Sequence, residues 1–491
     1  MALAKTFYTL IRTDNQINMN RKTFLQQSAL LGAGIMASKW SFAHPISNFP
    51  EVRVPLAKRH FKSEVIENTI KEFQKNVTNK ELGWLFNNCF PNTLDTTIYD
   101  ESTSTQKLTY VITGDIDAMW LRDSSAQVWP YLQFMHKDRK LQDLILGLIN
   151  KQSKCINIDP YANAFYNDPT KKGEWFSDHT EMKAGIHERK WEIDSLCYPI
   201  RLAYEYWKTT KDTTPFDEEW VKAQENTYKT FVEQQRKENL GPYNFSRTTS
   251  RGTDTLQVDG WGYPINPVGL ICSSFRPSDD ASIFLFLIPS NLFAVVSLKQ
   301  SAEILRKVKN NTTLAAKMEA LADEIQKAVN EYGIIDHPKF GKIYAYEVDG
   351  FGSTLMMDDA NVPSLLSLPY LGAVDVNDEI YQRTRKFILS ENNPFFFKGK
   401  AGEGIGGPHI GRDMIWPMAI TMRAMTSIND NEIRDSIKML AATHGDTGFM
   451  HETFHKDDPK KFTRHWFAWS NTLFGELLWK IYKEKPSLLK F

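Results

Sequence analysis

Residues 141–149 read LQDLILGLI, and Leu141, Leu144, Ile145, Leu148 and Ile149 recur there at three- and four-residue spacing. That spacing lays all five on one face of a helix, a stripe that needs a partner to cover it. Upstream, Phe61, Val65, Ile66, Ile70, Phe73 and Val77 form a second stripe of the same period. Working outward, the pattern predicts further helices near 79–90, 124–137, 193–209, 216–236, 280–308, 312–332, 361–370, 376–390, 414–429, 431–443 and 466–483. Strand-like pieces are short, at 107–113, 254–258 and 342–348. No Gly/Ser linker or charge block divides the chain after residue 60. Helices of similar length, joined by long loops rich in aromatics and glycine, predict one all-α domain of paired helices with its chemistry on the loops.

The 491 residues carry 59 basic and 59 acidic side chains, a formal net charge of zero. That balance argues against a nucleic-acid partner, which calls for a basic excess or stripe. With 13 Trp, 18 Tyr and 30 Phe, the chain can fill a large core and still line a cleft with aromatics. Cys89, Cys155, Cys197 and Cys272 are far apart and form no CxxC, so they read as buried thiols rather than a zinc or disulfide framework. Near the N-terminus, Arg21-Lys22, an apolar run from Phe24 to Ala37 and Ser41-Phe42-Ala43 have the form of an export signal. Residues 1–43 are therefore expected to be an N-terminal extension and signal, with Met19 the more natural start. Residues 44–491 would be the exported domain, periplasmic or secreted. No later run reaches the roughly 18 apolar residues that a membrane span needs.

The loops hold the unusual residues. In ITGDIDAMWLRDSSAQVWPYLQF (112–134), Trp120 precedes an adjacent Arg122-Asp123 pair, ahead of Ser124 and an apolar run. An indole stacks on the apolar face of a sugar, while a guanidinium and a carboxylate hold vicinal hydroxyls. The same letters fit a helix cap with a buried ion pair. Trp191, Glu192 and Asp194 precede another predicted helix, where Asp194 is also a cap candidate. In FRPSDDA (275–281), Arg276, Asp279 and Asp280 lie just ahead of an apolar run, and one of the two carboxylates could cap it. The glycine-rich GEGIGGPHIGRDMIWP (402–417) presents His409 and Trp416 on a loop, without a dinucleotide or Walker pattern.

Two carboxylates far apart in sequence, Asp279 and Glu452, each on an aromatic-lined loop, fit glycoside hydrolysis. One must donate a proton to the leaving oxygen, and the other must activate water or attack. Aromatic surroundings are expected to raise the acid's pKa by desolvation. The chemical rival is a zinc site, because HETFH (451–455) matches HExxH letter for letter. A zincin needs both histidines one turn apart on a helix. Here Gly445 and Gly448 upstream and Asp457-Asp458-Pro459 downstream leave little room for one, and Glu476, a candidate third ligand, lies in an apolar helical run. A glycan-binding protein without catalysis would need neither Asp279 nor Glu452.

Taken in order, TGDIDAMWLRDSSAQ, DPYANAF, ERKWEIDSLCYP, FRPSDDA, IPSNLFAVV, YAYEVDG, DDANVPSLLSLPYLG and MHETFHKDDP resemble glycoside hydrolase family 125, the metal-independent exo-α-1,6-mannosidases. The resemblance runs from about residue 60 to residue 482. It implies an (α/α)6 toroid, hydrolysis with inversion, no cofactor or metal, and a mannose-containing glycan (N-glycan or mannan) as substrate. It carries the general acid onto Asp279 and the general base onto Glu452. It lines the terminal-sugar pocket with Trp120, Arg122 and Asp123, and Asp194, Arg276, Asp280, His409 and Trp416 complete the candidate substrate contacts. A monomer is expected. A toroid glycosidase for another α-linked sugar would share the composition and the helical period.

Overall fold

The computed structural model describes residues 49–491, and the signal read in residues 1–43 lies outside them. The stripe at 141–149 becomes the inward face of the helix Arg139–Ile158, started by Asp138, whose carboxylate accepts from the N–H groups of Lys140 and Leu141. Six more amphipathic helices start on a side-chain cap. Ser63, Asn79, Asp217, Asn311, Asp378 and Asn429 cap Glu64–Asn76, Lys80–Cys89, Glu218–Gln234, Thr312–Tyr332, Glu379–Ile388 and Asp430–Ala442. Each cap accepts from one or two of the first-turn N–H groups that the helix cannot satisfy internally.

A second set behaves differently. Leu121–Val128, Ile193–Thr210, Ile288–Lys307, Pro417–Met425 and Ala468–Glu484 are buried on most sides and begin without any side-chain cap. A helix apolar around its circumference belongs inside. These five form the inner ring. Leu121–Val128 contacts Ile193–Thr210, which contacts Ile288–Lys307; on the other side Ala468–Glu484 joins Leu121–Val128 to Pro417–Met425. Capped helices lie outside them, Thr312–Tyr332 along Ile288–Lys307 and Asp430–Ala442 along Pro417–Met425. The result is an α/α toroid, and Phe49–Phe491 forms one compact unit.

The helix predicted at 361–370 does not form. The segment is a series of turns with Leu365, Leu366 and Leu368 buried. Pro363 and Pro369 lack the N–H that a helix interior requires, and the Asp358 carboxylate takes the N–H groups of Leu365 and Leu366 at 2.8 and 3.0 Å. In chain order these turns stand where a sixth inner helix would. They are tied to the ring by Tyr198 Oη donating to Val362 O at 2.9 Å and Tyr370 Oη donating to Glu476 at 2.9 Å.

Three small antiparallel sheets sit at the mouth of the ring, and each delivers the chain into an inner helix. Met119–Trp120 pairs with Ala164–Phe165, Phe286–Leu287 with Glu347–Val348, and Met414–Ile415 with Thr453–His455. The strand expected at 254–258 is absent: Gly252–Asp254 forms a 3-10 turn and Val258 is exposed with φ 51°. Deeper along the axis, Tyr198 stands edge-on to Phe293 and Trp469. Below them the Arg201 guanidinium lies between the rings of Trp129, 3.5 Å from its centroid, and Tyr370, 4.7 Å away. All four cysteines are buried thiols. Among the described residues no helix is long and apolar enough to cross a membrane.

Candidate active site

The uncapped starts of Leu121–Val128, Pro417–Met425 and Ala468–Glu484 open on one cleft of about 560 Å³, which Arg122, Asp123, Trp416 and Phe467 help to line. Free N–H groups at helix starts favour negative charge nearby, and carboxylates gather there. Arg122 and Asp123 sit within the first turn of Leu121–Val128 rather than at a junction before it, and Asp123 caps nothing. Its Oδ1 accepts from Thr113 Oγ1 at 2.6 Å and its Oδ2 from Arg122 Nη1 at 2.8 Å. Asp194 is likewise in the first turn of its helix and accepts from Arg122 Nε at 3.1 Å. Arg122 Nη2 donates to both oxygens of Glu192 at 3.2 Å and to Asp279 Oδ1 at 3.0 Å. One guanidinium, 3% exposed, thus binds four carboxylates.

Asp279 and Asp280 do not cap the helix that follows them. That helix starts at Ile288 behind the Phe286–Leu287 strand, because Pro289 fits its first turn. Residues 276–280 instead form a tight turn, with Asp279 N donating to Arg276 O and Arg276 N to Asp280 O. Asp279 takes φ 66°, a left-handed conformation that Asp tolerates better than most residues. Arg276 braces this turn from behind, through Glu347 at 2.6 Å, while the other Glu347 oxygen holds the N–H groups of Ile283 and Phe284. Arg276, Asp194 and Asp280 stand behind the cleft surface; Trp120, Arg122, Asp123, Asp279, His409, Trp416 and Glu452 line it.

The indole N–H groups of Trp120 and Trp416 are buried without a partner among the described residues, as is Asp280 Oδ2. His409 Nδ1 is 3.3 Å from Asp280 Oδ1. Burial alone would lower the His409 pKa, but its bond to Asp280 and the charges of Asp279 and Glu452 outweigh it and raise it. Asp279 departs from the desolvated acid expected above. Burial pushes it up, yet Arg122 and then Lys190 pull it below the ordinary carboxylate range.

Glu452 sits on a bend just before the strand Thr453–His455, so HETFH is extended rather than helical. Both ring nitrogens of His451 face backbone carbonyls, Arg464 O and His444 O, each at 3.1 Å, and the ring stacks on Phe462 at 3.7 Å. The zincin helix is replaced by a hairpin, with Gly448 at φ 80° ahead of it. Arg464 Nη1 approaches Glu452 at 3.7 Å, and Arg464 also pairs with Asp115.

Several cleft residues had no sequence signal beyond their type. Lys190 donates to Asp254 at 2.6 Å and to the main-chain oxygen of Asp279 at 2.9 Å. Arg247 binds Asp178, Glu188 and Asp254 and is covered by the Trp175 ring at 3.7 Å. Arg464 completes this group. Their partners lie far off in the chain, so only the fold reveals them.

Comparison with known proteins gives the arrangement a lineage. A family model described as metal-independent alpha-mannosidase (GH125) matches residues 79–479. A metal-independent α-mannosidase from Streptococcus pneumoniae, solved as a non-productive complex with α-1,6-mannobiose, is 41% identical, with TM-score 0.83 over 87% of this chain and 100% of its own. The meiotically up-regulated gene 157 protein of Schizosaccharomyces pombe is 43% identical over 461 residues, 90% of each chain. A bacterial glucoamylase complexed with acarbose, at 13% identity and TM-score 0.51 over 87% of this chain and 57% of its own, shares the toroidal fold alone. The chain belongs to the GH125 family of metal-independent α-mannosidases.

Proposed function

We propose that this protein is an exo-acting mannosidase that removes non-reducing terminal α-1,6-linked mannose from glycans with inversion of configuration. The observation that carries the reading is the pair Asp279 and Glu452, brought from distant loops into one cleft. Asp279 donates a proton to the glycosidic oxygen as the bond to C1 breaks. Glu452 takes a proton from a water that attacks the opposite face of the ring. The free indole N–H groups of Trp120 and Trp416 are available to sugar hydroxyls, and Asp123, fixed by Arg122 and Thr113, presents a rigid carboxylate. The α-1,6 preference rests on the mannobiose complex of the S. pneumoniae relative. We infer also that the protein is exported, that residues 1–43 are removed, and that it works as a monomer.

The test compares a mannobiose with an aryl mannoside bearing an acidic phenol. An acidic phenol leaves without protonation, so Asp279→Asn is expected to slow mannobiose far more than the aryl substrate. Glu452→Gln is expected to slow both, since water must be activated in either case. NMR of the first-formed sugar is expected to show β-mannose. Initial α-mannose, or equal losses for both substrates in Asp279→Asn, would overturn the assignment.

A further inference from the structure

A general acid must carry a proton, yet Asp279 is held below the ordinary carboxylate range in the free enzyme. The charges around it suggest where that proton resides. Arg122 is the one cation in salt-bridge contact with all of Asp123, Glu192, Asp194 and Asp279. Lys190, the next nearest, turns its ammonium to Asp254, to Glu188 and to the Asp279 main chain, not to these carboxylates. With all four ionised, they would outnumber the one guanidinium bonded to them by three in a buried site. Carboxylates this close do not all ionise. Asp194 is one proton holder, since burial pushes it up to about 7 and its Oδ1 has no partner among the described residues.

Glu192 is the other. It is 0% exposed, and its two oxygens grip the same Arg122 nitrogen that Asp279 Oδ1 contacts, so the two carboxyl groups are neighbours across one NH2 group. Ser195 Oγ donates to Glu192 Oε2 at 2.8 Å and fixes its orientation. Burial, reinforced by the charges of Asp194 and Asp279, drives Glu192 well above the usual carboxylate range against the pull of Arg122. Among the described residues two titratable rings feel the Asp279 charge, His409, engaged with Asp280, and His187, engaged with Tyr166 Oη.

We propose that Glu192 and Asp279 share a single proton, stored on Glu192 in the free enzyme and passed to Asp279 when the glycosidic oxygen arrives. The proposal rests on Asp279 being the general acid. Glu192 does not touch the sugar; it is a positioning residue that keeps the acid loaded. In one turnover the Glu192 proton moves to the Asp279 carboxylate, and Asp279 gives it to the glycosidic oxygen as the C1–O bond breaks. The attacking water forms the new C1–O bond and loses its proton to Glu452. After release, Glu452 returns a proton to solvent and solvent reloads the pair, so one water is consumed and no other reactant is needed. Asp279, with its side chain 27% exposed, is the port for reloading, because Glu192 has no exposed surface.

The experiment uses Glu192→Gln and Glu192→Asp in the full chain, with the same two substrates. For Glu192→Gln we expect a loss of about tenfold or more on mannobiose, a change within about twofold on the aryl mannoside, and a basic limb of kcat/KM moved down by about one pH unit. Glu192→Asp is expected to recover much of the mannobiose rate, and Glu192→Gln to lose one carboxylic-acid stretch in the infrared spectrum of the free enzyme. Equal losses on both substrates with an unmoved basic limb, or an unchanged carboxylic-acid band, would overturn the proposal. Asp279→Asn keeps the two ideas separate. If it shows the leaving-group dependence and Glu192→Gln does not, proton sharing fails alone; if Asp279→Asn lacks it, the acid assignment fails first.

Discussion

Replacing Arg122 with Met preserves much of the side-chain bulk and removes the one cation bonded to Asp123, Glu192, Asp194 and Asp279. Removing one partner of a buried ion pair costs about 3–5 kcal/mol, because the remaining charge is left uncompensated. For a unit spanning Phe49–Phe491, an unfolding entropy of about 2.1 cal/mol/K per residue converts this to a Tm lower by about 3–6 °C near neutral pH. The pH dependence has a definite sign. In the wild type Asp279 is depressed, so its contribution is present above the unfolded carboxyl pKa and is lost as pH falls through the folded value. In Arg122→Met Asp279 rises and the carboxylates already raised by burial rise further, so the folded state binds protons more readily than the unfolded chain and gains stability on acidification. The deficit against wild type should therefore be widest at about pH 8 and narrow towards about pH 5. Differential scanning calorimetry across that range reads it directly. A deficit that is constant with pH, or that grows towards acid, would refute the charge argument.

Two further outcomes are expected. Exhaustive chelation should leave the mannosidase rate unchanged, since every step assigned here uses carboxylates and water. Loss of the rate with EDTA and its return with zinc would instead restore the metal reading of HETFH. Protein recovered from the producing cells should begin near His44, measured by intact mass or N-terminal sequencing, and an uncut N-terminus on cytoplasmic protein would refute export.

The outer helices were readable because their signals are local. An apolar stripe and a polar cap a few residues apart identify Arg139–Ile158 and Thr312–Tyr332, and both form. The inner helices broke the same rule. A carboxylate ahead of an apolar run reads as a cap, yet Asp123 and Asp194 lie inside first turns and serve a cluster assembled across the ring, while Asp280 lies well before its helix and faces His409. Leucine spacing at 361–370 imitated a helix, and the competing claims of two prolines and the Asp358 carboxylate decided otherwise. Asp279 and Glu452, which the fold brings into one cleft, were singled out through motif order over the whole chain. Lys190, Arg247 and Arg464 were not, nor was the bond of Glu192 to Arg122, because their partners are distant, 70 residues for Glu192 and Arg122 and 69 for Arg247 and Asp178. In HETFH the five letters were right for zinc and the backbone was wrong.

The packing beneath the cleft bears on how a long branch would be trimmed. Arg201 follows Asp194 by seven residues on one helix, roughly 10 Å further down the axis. There its guanidinium packs on the rings of Trp129 and Tyr370, past the buried Tyr198–Trp469 contact, and none of these residues lines the cleft. Water, the incoming branch and the freed sugar must all use the same opening. The shortened branch, nearest the entrance, departs first, and the monosaccharide below it follows only when the way is clear. No arrangement lets the branch advance by one unit while still held. Trimming is therefore expected to be distributive: each encounter removes one residue and ends in complete release, so that in a time course a population of branches shortens together rather than one at a time.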